Sequence, residues 1–292
     1  MHRNVKFPAL AAAMALTLSL LAGCSGGDAL PTVIQEGDGP SAAPVQTAQP
    51  SDPAAPEPTP DATPEPTPQF PLYEFGTPLE ESEPVADDSF FDNAVFLGDS
   101  RTEGLQLYSG LTHGTFYWAR GMSVFRADDP EYAVFNVDGQ ACTLVGTLSK
   151  KQYDKVYIMI GINELGYPAE SYDKGMAELV DKVIAAQPNA VIYLQTLPPV
   201  NDSVAQENGL AYYINNENVN RFNEGIIRVA QEKKVVLLDT ASIYRGADGQ
   251  LPAELASDGA HFVPSGYAMW VDYLRTHVMD SERYFYNRSL EE

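Results

Sequence analysis

Recurrent apolar runs separated by amphipathic stretches constrain this 292-residue chain more than any other feature. AVFL (residues 94–97), KVYIMI (155–160), AVIYLQT (190–196) and KVVLLD (234–239) have the length of strands. Apolar, β-branched runs of that kind fit strands covered on both faces. A weaker strand candidate covers 115–119. Between the runs, Met176, Leu179, Val180, Val183 and Ile184 recur at helical spacing within 169–186. A second helix fits 216–233, with Val219, Phe222, Ile226, Ile227 and Val229 on one side. A third fits 264–279, with Pro264 in its first turn. Parallel strands need crossover connections, which helices supply. The alternation predicts an α/β fold, a three-layer α/β/α sandwich around a central parallel sheet.

In such sheets reactive groups gather beyond the carboxyl ends of the strands. The segments there are GDSR (98–101), RGMS (120–123), GINE (161–164) and LPPVN (197–201), with SDGAHFVPSGY (257–267) further on. Ser100 follows a strand and opens a helix, where free backbone N–H groups favour negative charge. Gly98 lets the chain turn tightly beside it. A serine nucleophile needs a base, an acid to orient that base, and donors for the oxyanion. A plain helix cap uses the same Gly-Asp-Ser, so this stretch alone leaves both roles open. His2 lies in the leader, His113 in a loop flanked by Gly and Thr, and His277 on the last helix. His261 follows Asp258 by three residues, close enough for the carboxylate to fix the imidazole tautomer.

Together and in this order, the GDS, RG, GINE and DGAHFVPSGY blocks resemble those of the SGNH hydrolase superfamily, the GDSL-type esterases and lipases. The resemblance spans residues 93–279, and the family's flavodoxin-like fold agrees with the alternation of elements. It implies Ser100 as nucleophile and Asp258 and His261 as acid and base. It implies the Ser100 N–H, Gly121 and Asn163 as oxyanion donors, with Gly114 as competitor for the second position. Two residues depart from the family pattern. Glu164 stands where the third block usually ends in Asp; altered loop geometry is expected, and Glu164 is, like Arg101, a candidate substrate-binding residue. Arg101 replaces an apolar or small residue, and either binds an acidic or carbonyl-rich substrate group or pairs with Glu103 or another acid.

The ends of the chain set the expected compartment. Arg3 and Lys6 precede an apolar segment at 8–20, about a dozen residues and short of the ~20 needed to span a bilayer. It reads as a secretory signal over 1–23, and Leu-Ala-Gly-Cys at 21–24 resembles a bacterial lipobox, with Cys24 as the lipidated residue. Residues 24–88 then form an expected disordered linker rich in Pro and acid, without Lys or Arg from 25 to 88. The catalytic domain is expected over 89–292. The resulting expectation is an exported protein, lipid-anchored on the outer face of the bacterial cytoplasmic membrane and facing the cell wall. Cys142 has no partner once Cys24 is lipidated, and a small buried apolar role suits it.

Residues 91–292 carry 27 acidic and 16 basic side chains, a net charge of −11. A domain of that charge repels nucleic acid and anionic lipid heads. No His-x-x-x-His or Cys-x-x-Cys spacing and no Gly-rich phosphate loop is present, so neither metal nor cofactor is expected. The expected partner is an acylated carbohydrate or other small ester, handled by a monomer. Tyr108, Tyr117, Trp118, Tyr212 and Tyr213 are candidates to stack on sugar rings. Two alternatives stand beside hydrolysis: a glycan-binding lipoprotein without activity, and an O-acyltransferase using the same three side chains.

Overall fold

The computed structural model describes residues 69–85 and 87–290. The chain divides after Thr63, and every described residue belongs to the second unit, Pro64–Glu292. The signal, Cys24 and most of the expected linker lie outside the described residues.

Five strands form one parallel sheet: β1 (Ala94–Gly98), β2 (Thr115–Trp118), β5 (Lys155–Met159), β6 (Val191–Gln195) and β7 (Val236–Leu238). Their order is β2-β1-β5-β6-β7. All side chains of β1, β6 and β7 are buried, as unbroken apolar runs require. A separate antiparallel hairpin joins β3 (Phe135–Val137) to β4 (Gln140–Cys142). Its two-residue turn, Asp138-Gly139, has positive φ at both positions.

The helices are α1 (Ser100–Tyr108), α2 (Leu144–Thr147), α3 (Ala169–Ala186), α4 (Asp202–Glu207), α5 (Asn216–Glu232), α6 (Pro264–Thr276) and α7 (Ser281–Ser289). Helix α1 packs on α6, and α3 on α5. Right-handed crossovers place connections that run in opposite directions along the sheet on opposite faces. The link from β1 to β2 runs one way and those from β5 to β6 to β7 the other, giving the three layers. The direction changes between β1 and β5, which marks the crevice where such sheets bind ligands.

In-register pairing stacks four aromatic rings across the sheet. Phe116, Phe96, Tyr157 and Tyr193 follow one another with centroids 4.6, 4.8 and 4.5 Å apart. Each sits on a neighbouring strand at the same level.

The structure corrects several expectations. The folded unit starts well before residue 89: Tyr73, Phe75 and Leu79 are buried in the core. Leu79 N–H donates to the Leu237 carbonyl at 2.9 Å, and Leu237 N–H donates to the Tyr73 hydroxyl at 3.0 Å. This segment uses the backbone groups that edge strand β7 would otherwise leave unpaired. A linker to residue 88 fits the acids of this stretch but not its spaced apolar residues Tyr73, Phe75 and Leu79. On α5, Ile227 faces solvent while Val219, Phe222, Ile226 and Val229 are buried. Cys142 is only half-buried, at the end of the hairpin. Helix α6 stops at Thr276, short of 279, where His277 stacks on Tyr273 with centroids 3.8 Å apart.

Candidate active site

Ser100 begins α1 directly beyond β1. Asp99 caps the helix, its carboxylate accepting from the Arg101 N–H at 2.8 Å. Gly98 is required at the turn, because a Cβ there would strike the Thr102 hydroxyl and the Met159 carbonyl. The Ser100 hydroxyl lies 2.7 Å from His261 Nε2, and His261 Nδ1 lies 2.8 Å from Asp258 Oδ2. A carboxylate only accepts, so Nδ1 carries the proton and Nε2 offers its lone pair to the serine.

The loop carrying the acid and base is held from within. Asp258 Oδ1 accepts from the N–H groups of Ala260 and His261 at 2.9 and 2.8 Å. Partial burial pushes the Asp258 carboxyl up, but the bonds from the His261 ring and these two N–H groups outweigh it. They hold it well below the usual carboxylate range. Gly259 has φ +97, and a Cβ there would strike the backbone of Ala205 in α4.

Gly121 and Asn163 lie on the loops that follow β2 and β5, the two strands flanking β1. Gly121 has φ +72, and only Arg126 Nη1 comes within 4 Å of where its Cβ would stand. Asn163 Nδ2 donates to the Met122 carbonyl at 2.9 Å, which joins the two loops and leaves its second N–H available. Gly114, the competitor for the second position, precedes β2 at the opposite end of the sheet. There it packs against Phe96 and Phe91. It is too remote from Ser100 to donate to the same oxyanion.

Neither unusual residue faces substrate. Arg101 is 1 % exposed, its Nε donating to the Ala260 carbonyl at 2.9 Å and Nη1 to Pro198 at 3.2 Å. Its guanidinium also lies over the Phe262 ring, 5.6 Å from the centroid. The expected pairing with Glu103 is not formed, because Arg101 points beneath the His261 loop. Glu103 instead takes a two-pronged bond from Arg120, at 2.7 Å for each prong. Glu164 is fully buried, accepting from the Val124 N–H at 2.7 Å. Burial first, and the Asp99 charge in addition, push its carboxyl up to about 8. This bond ties its carboxyl group to the loop that carries Gly121.

A cleft of about 420 Å³ opens beside Ser100 and His261, walled by Glu103, Tyr108, Arg120 and Tyr267. Sequence reasoning missed Arg120 and Tyr267 as site residues. The RG pair marks the glycine as an oxyanion donor and carries no signal of its own for the arginine. Of the sugar-stacking candidates, Tyr117 packs on Phe135 and the Trp118 indole N–H donates to Gln106, both from edge strand β2. Among the described residues no group of three or more His, Cys, Asp or Glu is placed to hold a metal ion.

Residues 96–269, more than half of the chain, match the sequence profile of the GDSL-like Lipase/Acylhydrolase family. Among solved structures, one from Streptococcus pneumonia named for platelet activating factor is 25% identical, with a TM-score of 0.50. The match covers 62% of this chain and 81% of that one. The native M. smegmatis aryl esterase is 18% identical with a TM-score of 0.46, over 62% of this chain and 95% of that one. An acetyl xylan esterase is 18% identical with a TM-score of 0.45, over 62% and 96%. No curated protein matches the chain. With the parallel sheet and its flanking helices, the profile match assigns the chain to the GDSL-like lipase/acylhydrolase family of the SGNH superfamily, as an enzyme that hydrolyses esters.

Proposed function

We propose that the protein is an exported serine esterase that removes short acyl groups, O-acetyl above all, from carbohydrate or cell-wall glycan. Ser100 Oγ attacks the ester carbonyl carbon while its proton passes to His261 Nε2. Asp258 stabilises the imidazolium that forms. The oxyanion is met by the Ser100 N–H, the Gly121 N–H and Asn163 Nδ2. Collapse breaks the bond to the alcohol oxygen, which leaves with the proton from His261 and gives an acyl-enzyme. Water then attacks that acyl-enzyme, its proton taken by His261, and releases the acid and the free serine. The observation that carries this reading is the continuous chain from Ser100 through His261 to Asp258, at 2.7 and 2.8 Å.

The mixed lining of the cleft, in which Arg120, Glu103 and Ser257 supply polar groups beside Tyr108, Phe262 and Tyr267, supports a small acyl group on a polar alcohol. The lipobox-like Leu-Ala-Gly-Cys supports anchoring through Cys24 at the outer membrane face, with the enzyme acting as a monomer. Hydrolysis of p-nitrophenyl acetate by the wild type and by Ser100→Ala tests the chemistry. The variant is expected to lose at least ~10⁴-fold in kcat, and equal rates would refute the assignment. Cys24→Ser is expected to move the protein from the membrane fraction to the medium, as immunoblotting would show.

A further inference from the structure

The exposed aromatic side chains of the described residues are unevenly placed. They are Tyr108, Phe125, Tyr167, Tyr212 and Phe285. Tyr108 walls the cleft, and Phe125, Tyr167 and Tyr212 stand on the loops beyond β2, β5 and β6, at the end of the sheet where Ser100 lies. Only Phe285, on α7, lies apart from this set.

These rings connect. Phe125 and Tyr167 have centroids 5.2 Å apart, and Tyr212 and Tyr213 are 5.5 Å apart. Gly166, next to Tyr167, joins the two pairs, since a Cβ there would stand 3.1 Å from the Tyr213 ring. The rim is also braced from below. Phe125 lies against Gly175 of α3, and the neighbouring Val124 N–H is held by buried Glu164. Tyr167 follows Asn163 by four residues, so the rim is continuous with the loop expected to meet the oxyanion.

We propose that this rim binds an uncharged glycan chain, whose acylated sugar is thereby laid across Ser100. The assignment rests on the carbohydrate-esterase reading above and adds where the polymer lies. Ring faces pack on the apolar C–H faces of pyranose rings, and phenol hydroxyls serve the sugar hydroxyls at their edges. Exposed rings gathered at one end of a sheet mark an interaction site. The net charge of −11 over 91–292 opposes an anionic polymer, so the occupant is neutral. The cleft beside Ser100 holds one acylated unit, and the rim, reached through the Gly121 and Asn163 loops, takes the units that continue the chain.

The test compares kcat/KM for partly O-acetylated xylan with kcat/KM for p-nitrophenyl acetate. The variants are Phe125→Ala/Tyr167→Ala, Tyr212→Ala, and the ring-preserving Tyr167→Phe. The polymer-to-small-ester ratio is expected to fall about tenfold in the double variant and severalfold in Tyr212→Ala, and to stay within about twofold in Tyr167→Phe. Melting curves matching the wild type identify the loss as one of binding. An unchanged ratio in the double variant overturns the rim assignment while leaving the carbohydrate reading intact. So does a selective loss on p-nitrophenyl palmitate, which would assign the rim to acyl chains. A wild type that cleaves p-nitrophenyl acetate but neither acetylated xylan nor acetylated cello-oligosaccharide refutes the carbohydrate reading itself, and the rim assignment with it.

Discussion

Two polar clusters lie one residue apart in sequence and differ in nearly every physical respect. His261 and Asp258 are about one-third exposed and Ser100 is half-buried at the mouth of the cleft, and each polar contact among them is made. Asp99, Arg101 and Glu164 lie directly beneath, at 0, 1 and 0 % exposure. Each of those three keeps one polar atom without a partner: Asp99 Oδ2, Arg101 Nη2 and Glu164 Oε2. Burying polar groups without partners costs free energy, so this lower cluster is retained against its own cost. What it provides is position. Arg101 ties the start of the serine helix to the carbonyl next to His261, and Glu164 ties the Asn163 loop to the Gly121 loop. The upper cluster is suited to chemistry, and the lower cluster fixes where that chemistry happens.

The sharpest way to break this contrast is to disable the upper cluster alone. His261→Ala is expected to lower kcat on p-nitrophenyl acetate by about 10⁴-fold, and Asp258→Asn by about 10³–10⁴-fold. His261→Ala should leave the urea midpoint close to wild type, because solvent takes over the freed contacts, whereas Asp258→Asn also weakens the loop bonds from the Ala260 and His261 N–H groups and should lower it modestly. A large shift in that midpoint would mean that the two clusters are not separable.

Arg101→Met should do the reverse. Removing the buried guanidinium frees the Ala260 and Pro198 carbonyls and leaves Asp99 without a nearby cation. A loss of about 3 kcal/mol is expected in urea unfolding, with activity falling less than in His261→Ala. A fully stable variant would show that the lower cluster is not needed to hold the loops.

The two clusters also predict opposite pH dependence. Asp258 has a depressed folded pKa, so its stabilisation is complete at neutral pH and is lost only in strong acid. Glu164 has a raised one. Between 4.5, its ordinary value, and about 8 the unfolded chain releases a proton that the folded chain retains, so stability falls as pH rises. Glu164→Gln should therefore flatten the decline in Tm between pH 5 and 8. Relative to wild type it should gain several degrees at the upper end, at about 2–4 °C per kcal/mol. A parallel decline in both proteins would assign the slope elsewhere.

The smallest effect is expected at Arg120, which is 78 % exposed although doubly bonded to Glu103. Arg120→Ala should change unfolding free energy by less than about 1 kcal/mol. A larger loss would place this pair with the buried cluster.

Much of the architecture could be read from the chain, because buried parallel strands and amphipathic helices leave opposite hydrophobic periods. Helix 169–186 was predicted to the residue. The same logic could not extend β7, since Lys234 has φ +52 at the end of α5 and delays the strand to Val236. The segment from Tyr73 to Leu79 was hidden because its apolar residues cover an edge instead of repeating with a period. At the site, Ser100, Asp258 and His261 came from blocks whose spacing survives in one dimension. The orientation of Arg101 did not, because a charged residue's partner across 159 positions leaves no local trace. Arg101 was expected to meet an acid or a substrate; its side-chain bonds go to two carbonyls, and the acid whose charge it feels is buried Asp99 rather than Glu103. Glu103 has Arg101 two residues away in sequence, but the cation it binds is Arg120 on the loop after β2.

The four-ring stack through Phe116, Phe96, Tyr157 and Tyr193 sets an alignment mark across the sheet. Sliding any one of these strands by a single residue would turn its ring to the opposite face and open a gap in the row. Gly98 and Met159 end their strands at the same level beyond that row. The ladder thus works as a ruler: by indexing strands that share no local sequence, it sets the heights at which the serine and asparagine loops leave the sheet.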